Sequence, residues 1–83
     1  MPVLTAAQVR AARSLIRWNQ QDLAGHARIS LPTIRRMEAR DGPIRGITDN
    51  VWKIQRALED AGVVFIDENG GGPGVRLRDV GGR

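Results

Sequence analysis

One segment near the middle of the chain constrains the fold more than any other part of the sequence. It reads QQDLAGHARISLPTIRRME and runs from Gln20 to Glu38. Apolar residues recur in both halves at the spacing that places them on one face of a helix. They are Leu23, Ala24 and Ala27 in the first half, and Ile34 and Met37 in the second. The segment therefore predicts two short helices joined by a tight turn.

Polar residues at both helix starts support this prediction. Asn19 precedes the first helix, and Asp22 stands where its carboxylate can accept from free backbone amides. Ser30 precedes the second helix, and Pro32 falls in its first turn, where a missing amide hydrogen costs nothing. Ala24 supplies a small residue where two helices can cross closely. We expect the second helix to lie steeply across the first.

Size and composition limit what else the chain can be. At 83 residues it is expected to form one domain, near the lower limit for a core that is stable alone. It contains no cysteine, so neither disulfides nor thiolate-bound zinc can stabilise it. Small domains of this kind often gain the missing stability by dimerisation. No apolar run approaches the ~20 residues that span a bilayer, and the N-terminus lacks a signal-peptide pattern. We therefore expect a soluble, cytoplasmic protein.

Positive charge is concentrated in the first two-thirds of the chain. Residues 10–56 contain ten basic and four acidic side chains, a net charge of +6, whereas residues 57–83 contain three basic and five acidic ones, a net charge of −2. A polyanion would meet the N-terminal part, and the C-terminal part is available for another role. In the first helix, Arg10, Arg13 and Arg17 are expected on the side opposite the apolar face.

The remaining elements follow from periodicity and from breakers. A first helix begins after Thr5, whose capping box is completed by Gln8, and ends near Trp18. A fourth helix is capped by Thr48 or Asp49 and stops at Gly62; its apolar stripe comprises Val51, Ile54 and Leu58. Residues 63–66 and 75–78 predict two strands of a β-hairpin. The expected fold is mainly α, with a helical domain at residues 1–62 and a hairpin extension with a frayed tail at 63–83.

The motif W-N-Q-Q-D-L-A-x(4)-I-S-x-P-T-I-R-R-M-E resembles the helix-turn-helix of the Cro/CI-type (XRE) family of bacterial and phage repressors. The resemblance covers roughly residues 5–58, and the C-terminal hairpin segment resembles an extension of short alphaproteobacterial members. It implies a compact four-helix, lambda-repressor-like domain that binds double-stranded DNA. The family often has glycine at the position of Arg28, where the backbone has positive φ, so arginine there would cost roughly 1 kcal/mol.

The resemblance also implies roles for individual side chains. The base-facing positions of the recognition helix are Leu31, Pro32, Thr33 and Arg36; the phosphate-contacting positions are Gln20, Ser30, Arg35, Arg40 and Arg45. Arg36 is the main candidate for base readout, because a guanidinium can bond guanine O6 and N7 together. The alternative is an ordinary solvated surface, with Arg36 paired to Glu38, or Arg40 paired to Asp41.

The hairpin suggests a dimer. The run VVFI has apolar side chains on both faces, and a two-stranded hairpin cannot cover both. We expect a homodimer interface formed by Trp52, Val63, Val64, Phe65 and Ile66. Alternatively, Trp52 and the hairpin merely close the core of the monomer. A dimer would bind an inverted repeat with half-sites ~34 Å apart.

We favour a homodimeric transcriptional regulator, a repressor rather than an activator, that binds a palindromic operator. It would be associated with the nucleoid when it is bound to DNA. An antitoxin-like autoregulator, whose C-terminal segment binds a toxin, is the second hypothesis; polymerase is another possible partner. An RNA-binding role lacks aromatic stacking platforms. His26 is the only histidine, adjacent carboxylates do not converge on a nucleophile, and GGGPG lacks a phosphate-loop lysine. Neither an enzyme nor a metal or cofactor site is expected.

Overall fold

The computed structural model describes residues 4–40, 42–44 and 48–78. Over these ranges the chain is mainly helical, with four helices followed by an antiparallel two-stranded hairpin. The elements are α1 (Ala6–Leu15), α2 (Gln20–Ala27), α3 (Leu31–Glu38), α4 (Thr48–Asp60), β1 (Val63–Ile66) and β2 (Gly74–Leu77). No helix in these ranges is long and apolar enough to cross a bilayer.

Three of the four expected helix caps are present. The Thr5 side chain accepts from the Gln8 amide, and Gln8 bonds back to the Thr5 amide at 3.0 Å, which completes a capping box. Asn19 and Asp22 form a second reciprocal pair at the start of α2. Ser30 caps α3, with Pro32 in its first turn. Helix α4 begins at Thr48, so Thr48 and Asp49, the expected caps, are both within the helix, and residues 45–47, which precede it, lie outside the described residues.

Helix α1 ends earlier than expected, at Leu15 rather than near Trp18. Arg17 has φ 59°, in the left-handed region, which cannot continue a right-handed helix. The Trp18 amide turns back to donate to the Arg13 carbonyl oxygen at 2.9 Å, so the last carbonyls of the helix are satisfied locally. The expected positive φ at the end of α2 is confirmed, since Arg28 has φ 59° and ψ 46°.

A single apolar core joins the helices to the hairpin. The largest side chains that are almost completely buried come from α1, α2, α3, α4 and β1: Val9, Leu23, Ile34, Ile54, Leu58 and Val63. Alanines at 6, 12, 24 and 27 are also buried, and their small side chains permit close approach of the helices. The expected inward faces of α2, α3 and α4 are therefore confirmed for their central residues.

The hairpin follows Gly62, whose φ of +106° ends the helical segment as expected. Its register pairs Val63 with Leu77 and Ile66 with Gly74, so β2 begins one residue before the expected position. Val63 is only 1% exposed and belongs to the core. The expectation that Val63 takes part in a dimer interface is therefore wrong for this fold, because packing inside the monomer already covers its side chain.

The chain that follows α3 pairs with the start of the protein. The Ala6 amide donates to the Gly42 carbonyl oxygen at 2.9 Å, and the Ile44 amide donates to the Leu4 carbonyl oxygen at 2.9 Å. These bonds hold residues 42–44 beside the N-terminus of α1. The C-terminal end of α3 is thereby anchored to α1 by backbone contacts that periodicity alone does not predict.

Candidate nucleic-acid interface

The outward face of α3 is built around Pro32 and Arg36. Ile34, Met37 and Glu38 are buried, and Leu31 is half-buried against the core, so these residues fix the inward direction of the helix. Successive side chains are about 100° apart, which puts Pro32 and Arg36 almost opposite that direction. Both are exposed. Of the four expected base-facing residues, Leu31 is thus partly committed to packing.

Hydrogen bonds link the polar residues at the N-terminal end of α3. Ser30 Oγ accepts from the Thr33 amide at 3.3 Å and donates to Thr33 Oγ1 at 2.8 Å. Arg36 Nη2 lies 3.5 Å from the same Thr33 oxygen, at the outer limit for a hydrogen bond. The remaining guanidinium donors of Arg36 have no partner in the described part of the chain. Arg36 therefore projects from the helix with most of its donors available.

A buried carboxylate holds the opposite side of α3. The Glu38 side chain is only 3% exposed, and both of its oxygens accept from Arg13, at 2.9 Å from Nε and 2.7 Å from Nη2. Arg10 Nη1 donates to the Glu38 backbone oxygen at 2.7 Å. Two arginines of α1 thus bond to the last turn of α3, contrary to the expectation that they lie on the side of α1 opposite its apolar face.

This arrangement excludes the alternative in which Arg36 forms an ion pair with Glu38. Glu38 is paired with Arg13, so an Arg36–Glu38 pair is wrong, and no carboxylate among the described residues pairs with Arg36. Asp41, the expected alternative partner of Arg40, lies outside the described residues. The sequence contained a signal for the Arg13–Glu38 pair that was missed. A carboxylate on the inward face of α3 must have a buried cationic partner.

Gln20 joins the same cluster from the first turn of α2. Its side chain is half-buried, and Nε2 donates to Glu38 Oε1 at 3.2 Å. The Glu38 carboxylate consequently ties together α1, α2 and α3. This bond braces α3 against the start of α2, while the phosphate contact expected for Gln20 stays a prediction.

The other expected phosphate-contacting residues occupy separate parts of this region. Ser30 and Arg35 are exposed on α3 and its cap, and Arg40 is exposed two residues beyond the end of the helix. Arg35 is turned about 100° from Arg36 around the helix axis. Arg45 lies outside the described residues. Arg35, Arg36 and Arg40 thus give the exposed side and the C-terminal end of α3 positive charge that no described carboxylate neutralises.

The residues expected at a dimer interface do not share one environment. Phe65 is half-buried and packs on the core, whereas Val64 and Ile66 are half-buried on the opposite side of β1. Trp52 is 45% exposed and lines a cleft with residues of α2 and α4. Only Val64 and Ile66 therefore present apolar surface on the outer side of the hairpin, and the packing of Phe65 agrees with the alternative of a closed monomer core.

The chain matches no protein-family model, and a search of curated proteins also finds no match. The residues and their geometry therefore carry the functional proposal that follows.

Proposed function

We propose that the chain is a sequence-specific DNA-binding transcriptional regulator of the Cro/CI type, with α2 and α3 as its helix-turn-helix. One observation carries the proposal. The outer face of α3 centres on Pro32 and Arg36, while a buried carboxylate on its inner face locks the helix to α1 and α2. A rigid, exposed helix with unpaired arginine is suited to insertion into the DNA major groove.

The geometry supports separate tasks for neighbouring arginines. Arg36, at the centre of the outer face, is aimed at base edges, where its donors can reach guanine O6 and N7. Arg35 and Arg40 flank that centre and would neutralise phosphates on the groove walls. The N-terminal end of α3 at Ser30 adds the positive end of the helix dipole, which favours an anion. Thr33 can offer its hydroxyl or methyl group to a base, and Pro32 apolar contact.

We further propose that the regulator acts as a homodimer on an inverted repeat, as a repressor that occludes a promoter. A single recognition helix makes few base contacts, and two linked helices multiply the effective affinity. The protomer measures 33 × 29 × 19 Å, so two copies side by side could span half-sites about 34 Å apart. The outer side of β1, with Val64 and Ile66, is the proposed contact.

An antitoxin-like regulator remains the second candidate, because no strand among the described residues pairs with either outer edge of the same hairpin. An edge strand can accept a strand from another chain. Two results together would favour the toxin-binding role over the homodimer. The chain would co-purify with the product of an adjacent gene, and mutation of the hairpin would leave the mass of the isolated protein unchanged. Both candidates assign the chain a binding role rather than a catalytic one.

In vitro selection from random DNA duplexes tests the proposal most directly. We expect enrichment of a motif with inverted symmetry, and fluorescence anisotropy should then give its affinity relative to a scrambled duplex. Failure to enrich any motif would overturn the proposal. An enriched motif without inverted symmetry would contradict the proposed dimer but would still support α3 as the recognition helix.

Two arginine variants test the assignment of base and phosphate contacts. Arg36→Ala should lose about 1–3 kcal/mol of discrimination, roughly a 5- to 150-fold change, at one base position. Arg35→Ala should weaken cognate and scrambled duplexes alike and reduce the salt slope by about one. Arg56→Ala removes an exposed arginine of α4, away from α3 and from the proposed dimer contact, so it is the matched control and should change neither quantity. Equal losses for Arg36→Ala and Arg56→Ala would contradict the assignment.

A further inference from the structure

A cleft of about 350 Å³ lies between the C-terminal half of α2 and the exposed side of α4. Ala27 and Ala57 contribute apolar walls, and the Trp52 side chain stands beside them. No residue of α3 lines the cleft, so it is separate from the proposed DNA-binding face. Sequence reasoning did not anticipate it, because its walls are more than twenty residues apart along the chain.

Three cationic side chains surround this cleft. Arg28, Lys53 and Arg56 line it, against a single carboxylate, that of Asp60. Within the described part of the chain, Arg28 and Lys53 have no carboxylate partner. Arg56 lies 3.5 Å from Asp60, but both side chains are about 70% exposed, so water screens this pair and it is easily exchanged. The cleft therefore has an excess of positive charge that an anion could neutralise.

The cleft also offers a flat apolar surface. Trp52 is 45% exposed, so a large part of its side chain is accessible at the cleft. The other aromatic ring in the cleft, His26, is already stacked on Trp18, with ring centroids 4.2 Å apart and an interplanar angle of 12°. Trp52 is thus the ring available for stacking.

We propose that this cleft binds a small aromatic carboxylate. The ring would stack on Trp52, and the carboxylate would accept from Lys53 and Arg56, where a guanidinium fork matches its two oxygens. The volume lies at the lower end of the range for ligand clefts, about 300–1,000 Å³, which suits one or two fused rings. Binding itself does not depend on the proposed function.

The position of Arg28 connects this cleft to α3. Arg28 caps α2 in a left-handed conformation and stands two residues before Ser30, the cap of α3. The ligand carboxylate, held by Lys53 and Arg56 in the cleft that Arg28 also lines, would attract the Arg28 guanidinium and so act on the turn that sets the angle between the two helices. Where the DNA-binding proposal holds, the ligand changes DNA affinity, and DNA changes ligand affinity by the same factor.

NMR titration with 2-naphthoate tests the site, with neutral 2-naphthamide as the matched probe. We expect 2-naphthoate to shift the Trp52 indole resonance and the Lys53 and Arg56 amides, with an affinity at least tenfold above that of the amide. Lys53→Gln and Trp52→Ala should each weaken binding at least fivefold, whereas Arg76→Gln should not. Fold is checked by the retained dispersion of the core methyl resonances.

Three results would overturn the inference. They are equal binding of the two probes, equal weakening by Lys53→Gln and Arg76→Gln, or shifts centred on α3 instead of the cleft. Shifts of the Trp52 indole resonance with protein concentration alone would assign the cleft to a second copy of the chain and overturn it as well. DNA affinity is measured separately by anisotropy, so loss of DNA binding cannot be mistaken for loss of the ligand site.

Discussion

At the scale of single residues, Glu38 is the side chain on which the placement of α3 depends most. Its carboxylate is buried and bonded to Arg13 and Gln20, which come from the two preceding helices. An ion pair of this kind adds little net stability compared with an apolar replacement of both partners, but removal of one partner leaves the other charge unpaired. We infer that the cluster holds α3 in one orientation.

Glu38→Gln should therefore destabilise the fold by about 3 kcal/mol, the lower end of the range for a broken buried pair, because Arg13 keeps some access to water. Urea denaturation followed by circular dichroism measures the change. Asp60→Asn, which removes the exposed pair with Arg56, is the control and should change stability by less than about 1 kcal/mol. Similar losses of stability in the two variants would show that the buried Glu38 pair contributes no more than an exposed ion pair.

At the scale of elements, Gln8 connects the first turn of α1 to the hairpin. It is 5% exposed, and its Oε1 accepts from the Thr5 amide at 3.0 Å. Its Nε2 donates to the carbonyl oxygens of Ile66 and Gly74 at 3.3 and 3.0 Å. One amide group therefore serves the helix cap with its oxygen and the loop end of the hairpin with its nitrogen.

Gln8→Glu separates these two functions. The carboxylate can still accept from Thr5, but it cannot donate to the two hairpin carbonyls, and it places a negative charge beside their oxygens at a largely buried position, so we expect a cost of about 1–3 kcal/mol. Amide hydrogen exchange in β1 and β2 should accelerate about ten- to a hundredfold, with smaller changes in α2 and α3. Gln21→Glu makes the same charge change at an exposed site and should leave the hairpin protected. Unchanged exchange in the hairpin would contradict this tethering role.

At the scale of the whole molecule, the outer face of the hairpin is the surface that a partner would cover. Val63, Phe65 and Val75 pack towards the core, so the inner face of the hairpin is already used. Val64 and Ile66 remain on the outer face, and within the described residues neither edge of the two-stranded sheet pairs with a further strand. A second copy of the chain would bury both features at once.

Val64→Asp should convert the proposed dimer to a monomer. Val64 lies opposite Arg76 in the register, so the introduced carboxylate would face a cation and the hairpin itself should persist. Light scattering should show a halved mass, and affinity for the palindromic duplex should fall. Val64→Thr, which keeps the branched shape, is the control and should remain dimeric. A monomeric wild-type protein at tens of micromolar would refute the dimer outright.

Local chemistry accounts for the parts of the fold that were predictable from the sequence. Thr5 with Gln8, Asn19 with Asp22, and Ser30 with Thr33 are three residues apart, so their bonds form wherever the helix begins. Periodicity likewise identified the buried sides of α2, α3 and α4, and turn residues identified the hairpin. The end of α1 was missed because nothing in the type of Arg17 indicates a left-handed backbone.

The sequence by itself determined where the helices start, which faces they bury and which arginines α3 carries. Only the tertiary structure decided which arginines are free. Arg13 and Glu38 are 25 residues apart, and Gln8 is 58 and 66 residues from its hairpin partners. Such pairs depend on how the helices are brought together, because each donor has several possible acceptors and chain packing selects among them. The same packing buries Val63, exposes Trp52 and forms the cationic cleft.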